Sequence, residues 1–148
     1  MDNTKVIIKE TKNIGKGLFA IDDIKKGEVI ADWTGGNVYE AKKTSELPVE
    51  VRDHVIQSDE HKWIDTNGLG RYFNHSCEPN CGVKEKFKII AMKDIKKGEW
   101  LTDDYEMTEN SDWKMICKCG SKNCRKIIGA YKNMPDETRK KYRGYISD

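Results

Sequence analysis

A chain of 148 residues with 36% hydrophobic and 35% charged residues is one domain's worth of sequence, enough for a modest core. Its mean hydropathy of -0.81 and its short apolar runs, such as Val6-Ile7-Ile8, exclude membrane-spanning helices. A net charge of +2 gives no ground for direct nucleic-acid binding. Such binding needs a clustered basic face, and acidic residues interrupt the lysines and arginines between Lys114 and Arg143.

The polar start, Met1-Asp2-Asn3-Thr4-Lys5, has no signal-peptide pattern, so an intracellular protein is expected. Short runs of β-branched and aromatic residues, bounded by glycine or Asp/Asn clusters, predict strands over 6–9, 17–21 and 29–33. The hexapeptide Asp23-Ile24-Lys25-Lys26-Gly27-Glu28 returns unchanged as Asp94-Ile95-Lys96-Lys97-Gly98-Glu99. Both copies read as strand-turn-strand units with glycine in the turn, either a common turn used twice or a true pseudo-symmetry. A helix is expected over 45–57 with Pro48 in its first turn. Further strands are expected over 87–92 and 100–103, and a second helix from Pro135-Asp136-Glu137. Thr138, Tyr142, Tyr145 and Ile146 share one face of that helix. The fold class is mainly β with one or two peripheral helices, and no linker divides it.

All five cysteines lie in the second half of the chain: Cys77, Cys81, Cys117, Cys119 and Cys124. In a reducing compartment they argue for metal binding or catalysis over a disulfide framework. Cys117-Lys118-Cys119-Gly120-Ser121-Lys122-Asn123-Cys124 packs three thiols into a knot that suits a tetrahedral zinc ion. Structural zinc wants a fourth ligand, and Cys77 and Cys81 are the other cysteines able to supply it. Both sit in Arg71-Tyr72-Phe73-Asn74-His75-Ser76-Cys77-Glu78-Pro79-Asn80-Cys81, a loop dense in hydrogen-bonding groups. A catalytic Cys-His pair there is disfavoured, because residues so near in sequence rarely aim their side chains at each other.

Together these segments resemble the SET-domain protein-lysine methyltransferases that carry a post-SET cysteine motif. Gly15-Lys16-Gly17-Leu18-Phe19-Ala20 is similar to the family's N-terminal cofactor-contacting segment. The run from Arg71 to Asn80 resembles its Asn-His-Ser-Cys signature. Glu99-Trp100-Leu101-Thr102-Asp103-Asp104-Tyr105 resembles the segment that ends in the catalytic tyrosine, and residues 117–129 resemble the post-SET motif. No cysteine precedes Gly15, so no pre-SET module is expected in that stretch.

The resemblance implies short curved sheets, with the signature loop and the Asp-Tyr segment threaded into a C-terminal pseudoknot. It implies a SET domain over 5–107, a post-SET zinc segment over 113–129 and a C-terminal helix over 135–147. S-adenosylmethionine would be contacted by Lys16, Gly17, Leu18, Arg71, Asn74 and His75. Tyr105 would be catalytic and would also wall the substrate channel. One structural zinc ion would be held by Cys77, Cys117, Cys119 and Cys124, leaving Cys81 a buried thiol. Asp103 stands where many relatives have Phe or Tyr, at a position that controls how many methyl groups are added. An ionised carboxylate there would oppose catalysis, so Asp103 is expected either to turn away or to hold a water. His54 falls where relatives place a tyrosine beside the target amine; a histidine on a helix surface is the other reading. The implied partner is a protein or peptide bearing the target lysine, with histones the commonest class. The expected location is chromatin in a eukaryote and the cytoplasm in a prokaryote. A catalytically silent module that binds peptide or chromatin partners is the alternative. Nothing in the sequence indicates an oligomeric state.

Overall fold

A computed structural model describes residues 3–12, 15–33, 36–52, 55–66, 68–85, 87–109 and 114–145. The chain folds as short sheets with little helix. The first sheet holds β1 (Val6–Glu10), β2 (Lys16–Ala20), β10 (Trp100–Asp103) and β7 (Asn74–His75), in the order β1-β2-β10-β7. The second runs β3-β9-β8, from Val29–Asp32, Lys88–Ala91 and Cys81–Lys84. The third runs β4-β6-β5, from Gly36–Glu40, Lys62–Thr66 and Ile56–Asp59. A two-residue hairpin of β11 (Met115–Ile116) and β12 (Ile127–Ile128) lies near the C-terminus. The five expected strands all form, each within a residue or two of its predicted bounds.

Leu18, Ile30, Ile89, Leu101 and Met107 fill the main core together with Trp33. Each such side chain contributes about 1.5–3 kcal/mol by leaving water. A smaller cluster gathers Leu47, Val51 and Val55 around the fully buried Trp63.

The repeated hexapeptides pair with each other. Ile24 and Ile95 exchange backbone hydrogen bonds of 2.8 Å in both directions. The Lys26 N–H donates to Asp94 Oδ1 at 2.9 Å, and the Lys97 N–H donates to Asp23 Oδ1 at the same distance. Gly27 and Gly98 both take positive φ, 92° and 93°, which permits the identical tight turn in each copy. Their amides donate to Ala91 O and Ala20 O, binding each turn to the strand beside the other copy. The repetition is therefore a local pseudo-dyad that joins the first sheet to the second, and each copy satisfies the other's polar groups.

Two helical expectations change. Over 45–57 the chain makes a 3-10 turn at Thr44–Glu46 and a single helical turn after Pro48, where Val51 and Arg52 both donate to the Pro48 carbonyl. It then extends into β5. Val49, Val51, Val55 and Ile56 are stiff at χ1 and favour strand, and pairing with β6 satisfies the backbone instead. His54 lies outside the described residues. The C-terminal helix, α1, spans Asp136–Lys141 and is shorter than the expected 135–147. Gly144 at φ 88° turns the chain out of the helix, and the Val83 N–H takes the Tyr145 carbonyl at 2.9 Å. Tyr142 does face inward from α1, buried as the helical spacing predicts.

The parallel pairing of β7 with β10 positions the site. Asn74 lies beside Thr102 and His75 beside Asp103. Parallel neighbours need a crossover, which the β8–β9 hairpin of the second sheet supplies. Asn80 pins the crossover: its Nδ2 donates to Trp100 O and its Oδ1 accepts from the Thr102 N–H, both at 2.9 Å. The signature loop and the Asp-Tyr segment thus run side by side, as the threaded topology requires.

Candidate active site

Where β7 and β10 end, a pocket of about 550 Å³ opens toward the β11–β12 hairpin. Lys16, Arg71, Asn74, His75, Asp103 and Tyr105 line it together with Cys117 and Cys119, so eight of the sequence-selected residues converge on one cavity. Gly17 and Leu18 do not line it. Leu18 is wholly buried in the main core. Gly17 makes room for protein, since a Cβ there would lie 2.4 Å from Asn74 Oδ1 and 2.7 Å from Trp100 Nε1. The bare backbone at Gly17 admits the Asn74 side chain. Asn74 is held there by Trp100 Nε1, which donates to Oδ1 at 3.1 Å, and by its own Nδ2 donating to Lys16 O at 3.3 Å. Arg71 is anchored on Asp65 of β6.

His75 is buried, and its tautomer follows from its neighbours. The Tyr105 N–H donates to Nδ1 at 3.1 Å, so the ring proton sits on Nε2 and points at Cys77 Sγ, 3.3 Å away. Burial is the main cause that lowers its pKa, to about 4, partly countered by the Asp104 charge. The ring is neutral at pH 7, and the 3.6 Å approach of Asp104 to Nδ1 is not an ion pair there. His75 and Cys77 do aim at each other, contrary to expectation. β7 ends at His75, and the bend that follows brings Cys77 back beside the ring at the cysteine cluster.

Tyr105 opens a 3-10 turn at Tyr105–Met107, directly after β10. Its hydroxyl donates to the Phe73 carbonyl at 2.6 Å, and its ring stands edge-on to His75 at 5.3 Å. The side chain is thereby fixed with one face to the pocket. Asp103 is 2% exposed, and its Oδ1 has no hydrogen-bond partner among the described residues. Burial, together with the charge of Asp104, holds its carboxyl well above the usual carboxylate range. Both causes favour the protonated form of Asp103, which lines the pocket.

The Sγ atoms of Cys77, Cys117, Cys119 and Cys124 all lie within 4.8 Å of one another. A tetrahedral site with Zn–S bonds of about 2.3 Å has sulfur–sulfur edges of about 3.8 Å, and Cys77 Sγ is 3.8 Å from Cys117 Sγ. Burial pushes the Cys77 thiol up to about 11 and that of Cys117 higher still. Burial also opposes ionisation of Cys119, but hydrogen bonds from the Cys77 and Ser121 amides and from its thiol neighbours draw it down to about 7. Such a cluster ionises fully only around a cation, and four soft sulfurs suit zinc. Cys81 lies apart from it, wholly buried, with its thiol 3.5 Å from Asn80 Oδ1.

Arg125, Asp104, Glu106 and Tyr142 were given no site role in the sequence. Arg125 Nη2 donates to both oxygens of the fully buried Asp104 at 2.7 Å. It also lies 2.9 Å from Glu106 Oε1, an ion pair without hydrogen-bond alignment. The Tyr142 hydroxyl donates to Asp104 Oδ2 at 3.1 Å, and the Gly129 N–H donates to Glu106 Oε2 at 2.8 Å. Burial alone would lower the Arg125 pKa, but Asp104 more than offsets it, so the guanidinium stays charged. The available signal was Asp104 and Glu106 themselves, two acids set among apolar residues of a core strand and turn.

Fold and site together define a small threaded β-domain with a ligand pocket beside a four-thiol metal site. The chain belongs to the SET-domain family, whose sequence profile matches residues 15–106. It is 31% identical to the mouse (Mus musculus) histone-lysine N-methyltransferase, H3 lysine-36 specific, over 95% of this chain and 6% of that protein. It is 33% identical to the histone-lysine N-methyltransferase trr of Drosophila melanogaster, over 82% of this chain and 6% of that one. The H3 lysine-4 specific enzyme of Schizosaccharomyces pombe is also 33% identical, over 74% of this chain and 13% of its own length. The chain therefore spans a small part of the curated relatives it matches. Among solved structures, KRYPTONITE in complex with mCHG DNA and SAH shares the fold. Its TM-score is 0.64 at 24% identity, over 82% of this chain and 28% of that one. Among the described residues no helix is long and apolar enough to cross a membrane.

Proposed function

We propose that this protein transfers methyl groups from S-adenosylmethionine to the side-chain amine of a protein lysine, with histones the first substrates to test. The carrying observation is the meeting of Asn74, His75, Asp103 and Tyr105 in one pocket beside the cysteine cluster. The activities for which the relatives are named support the reaction class and point to a chromatin setting. The cavity volume falls within the range of about 300–1,000 Å³ usual for small-molecule sites. Cys77, Cys117, Cys119 and Cys124 would hold one structural zinc ion, with no open position for substrate.

S-adenosylmethionine, when bound, supplies an electrophilic sulfonium methyl. Lys16, Arg71, Asn74 and His75 would bind it, with the backbone of Gly17 and Leu18 behind them. Asn74 is already fixed from two sides, so little ordering remains to oppose binding. The Tyr105 hydroxyl spends its proton on Phe73 O and keeps lone pairs to accept from the amine N–H, which orients the nitrogen. A neutral Asp103 leaves the lysine amine free to stay unprotonated and nucleophilic. Rate enhancement would then come mainly from alignment of amine and methyl. An extended substrate segment would pair with β5, an edge strand whose Ile56 lines the pocket.

Methyl transfer from labelled cofactor onto histone H3 and a mixed protein lysate tests this reading. Transfer to none of them, with normal cofactor affinity, would favour the silent binding module instead. Asn74→Ala removes a half-buried hydrogen-bonding group and should weaken cofactor binding by about 1–3 kcal/mol. Calorimetry with S-adenosylmethionine measures it, and unchanged affinity would displace Asn74 from the cofactor site.

Asp103 leads to a prediction about product. Its unpartnered Oδ1 accepts from a water or from an amine N–H, and a held water occupies space that further methyl groups need. The wild type should make mainly monomethyl-lysine, and Asp103→Phe should shift products toward di- and trimethyl-lysine. Asp103→Asn keeps a neutral polar group and should leave the product state unchanged. Mass spectra of the modified peptide decide; mainly trimethyl product from the wild type would refute the held water.

A further inference from the structure

We propose that Arg125 is a positioning residue for Tyr105, fastening the segment that carries the tyrosine to the four-cysteine cluster. The catalytic meaning of this rests on the methyltransferase reading; the geometry does not. Two routes run from Tyr105 to the same sulfur. Along the first, Asp104 immediately precedes Tyr105, Arg125 Nη2 holds both Asp104 oxygens at 2.7 Å, and the Arg125 backbone N–H donates to Cys77 Sγ at 3.3 Å. Along the second, the Tyr105 N–H donates to His75 Nδ1 at 3.1 Å, and His75 Nε2 points at Cys77 Sγ from 3.3 Å. The routes close a ring, Cys77–Arg125–Asp104–Tyr105–His75–Cys77, so the backbone of Tyr105 is gripped from both sides.

Arg125 also follows Cys124, a member of the cluster, and can move only as far as the cluster allows. Setting Cys77 and Cys124 around one centre therefore fixes the reach of Arg125, and Arg125 fixes Asp104. Tyr142 and the Glu106 amide add donors to the same carboxylate, at 3.1 Å each. They hold Asp104 in the core without connecting it to the cysteines. The connection to the metal site on this side is Arg125 itself.

The test uses the full zinc-loaded chain with its tyrosines replaced by 3-fluorotyrosine, and the Tyr105 fluorine signal identified by its loss in Tyr105→Phe. Arg125→Met combined with Asp104→Asn removes the link without stranding a buried carboxylate at position 104. One zinc per chain should remain, while the Tyr105 signal shifts and broadens. In the same variant kcat should fall roughly 10- to 100-fold, as a misplacement near 1 Å costs, with KM for S-adenosylmethionine little changed. Arg125→Lys keeps the charge on a shorter stem, so its signal and kcat should lie between those of the wild type and the double variant. An unmoved Tyr105 signal in the double variant overturns the proposal, and so does loss of zinc together with the shift, which would make Arg125 a support of the metal site only. Should the double variant fail to fold, an unmoved signal in Arg125→Lys overturns it equally. The fluorine signal is read without turnover, so the absence of any methyl acceptor would refute the proposed activity and leave this test intact.

Discussion

Cys119→Ser is expected to abolish stoichiometric zinc binding and to destabilise the chain by several kcal/mol. Serine's hydroxyl is a poor ligand for a soft ion, and three remaining thiols leave the site open. Structural zinc sites of this kind bind with about 10–16 kcal/mol of apparent free energy. Whole domains are stable by only about 5–15 kcal/mol, so losing even a third of the metal's contribution is a large share. Damage should concentrate in the pocket wall formed by Met115, Ile116, Cys117 and Cys119, and cofactor binding should weaken with it. Cys81→Ser is the control. That thiol is buried outside the cluster beside Asn80 Oδ1, which a serine hydroxyl can still reach as a donor. It should retain one zinc per chain. Metal analysis of unchelated protein and thermal unfolding read both variants; no zinc in the wild type, or equal loss in Cys81→Ser, would refute the ligand set.

Much of this architecture was legible because its signals are local. Val29 to Asp32 and Trp100 to Asp103 are dense in strand formers and close on glycine-bearing turns, so the residues alone announce them. The two Asp-Ile-Lys-Lys-Gly-Glu turns were visible as a repeat, but their mutual capping was not. Asp94 accepts from Lys26 across 68 residues, a distance no window along the chain can span. β4, β5, β6 and β8 were not expected, and β7 and the β11–β12 hairpin escaped notice because two residues carry no periodicity and only pairing with a distant segment makes them strands. The segment after Thr44 misled because apolar residues at three- and four-residue spacing suit one helical turn as well as a helix. Packing of Leu47, Val51 and Val55 on Trp63 favours the single turn.

The site divides in the same way. Cys117, Cys119 and Cys124 announce a metal knot by spacing, the family resemblance names Cys77 over Cys81 as the fourth ligand, and the tertiary grouping brings those four together. Asn74 and Tyr105 lie in recognisable motifs. The charges that hold them do not, since Arg125 and Asp104 are 21 residues apart and an ion pair leaves no periodic trace. The missing Cβ of Gly17 admits Asn74 and Trp100, a contact between residues far apart in the chain that no local pattern announces.

Tyr105→Phe should lower turnover on the order of 10²-fold or more, while affinity for S-adenosylmethionine changes little. The substitution keeps the ring, its edge-on contact with His75 and the backbone bond to Nδ1. It removes only the hydroxyl and its 2.6 Å bond to the Phe73 carbonyl. A single ordinary hydrogen bond contributes about 0.5–1.5 kcal/mol to stability, so the fold should survive. Rate is another matter. Interactions that strengthen in the transition state raise kcat, whereas those equal in both states alter only binding. The hydroxyl orients the amine as its lone pair turns toward the methyl carbon, and loss of one such preorganised group costs about 10²–10³ in comparable sites. Cofactor affinity should hold because Lys16, Asn74 and His75 keep their places. A pre-steady-state measurement of methyl transfer, beside calorimetric cofactor binding, separates the two effects. Normal turnover would show that Tyr105 only walls the pocket, and a matching fall in affinity and rate would assign its hydroxyl to binding.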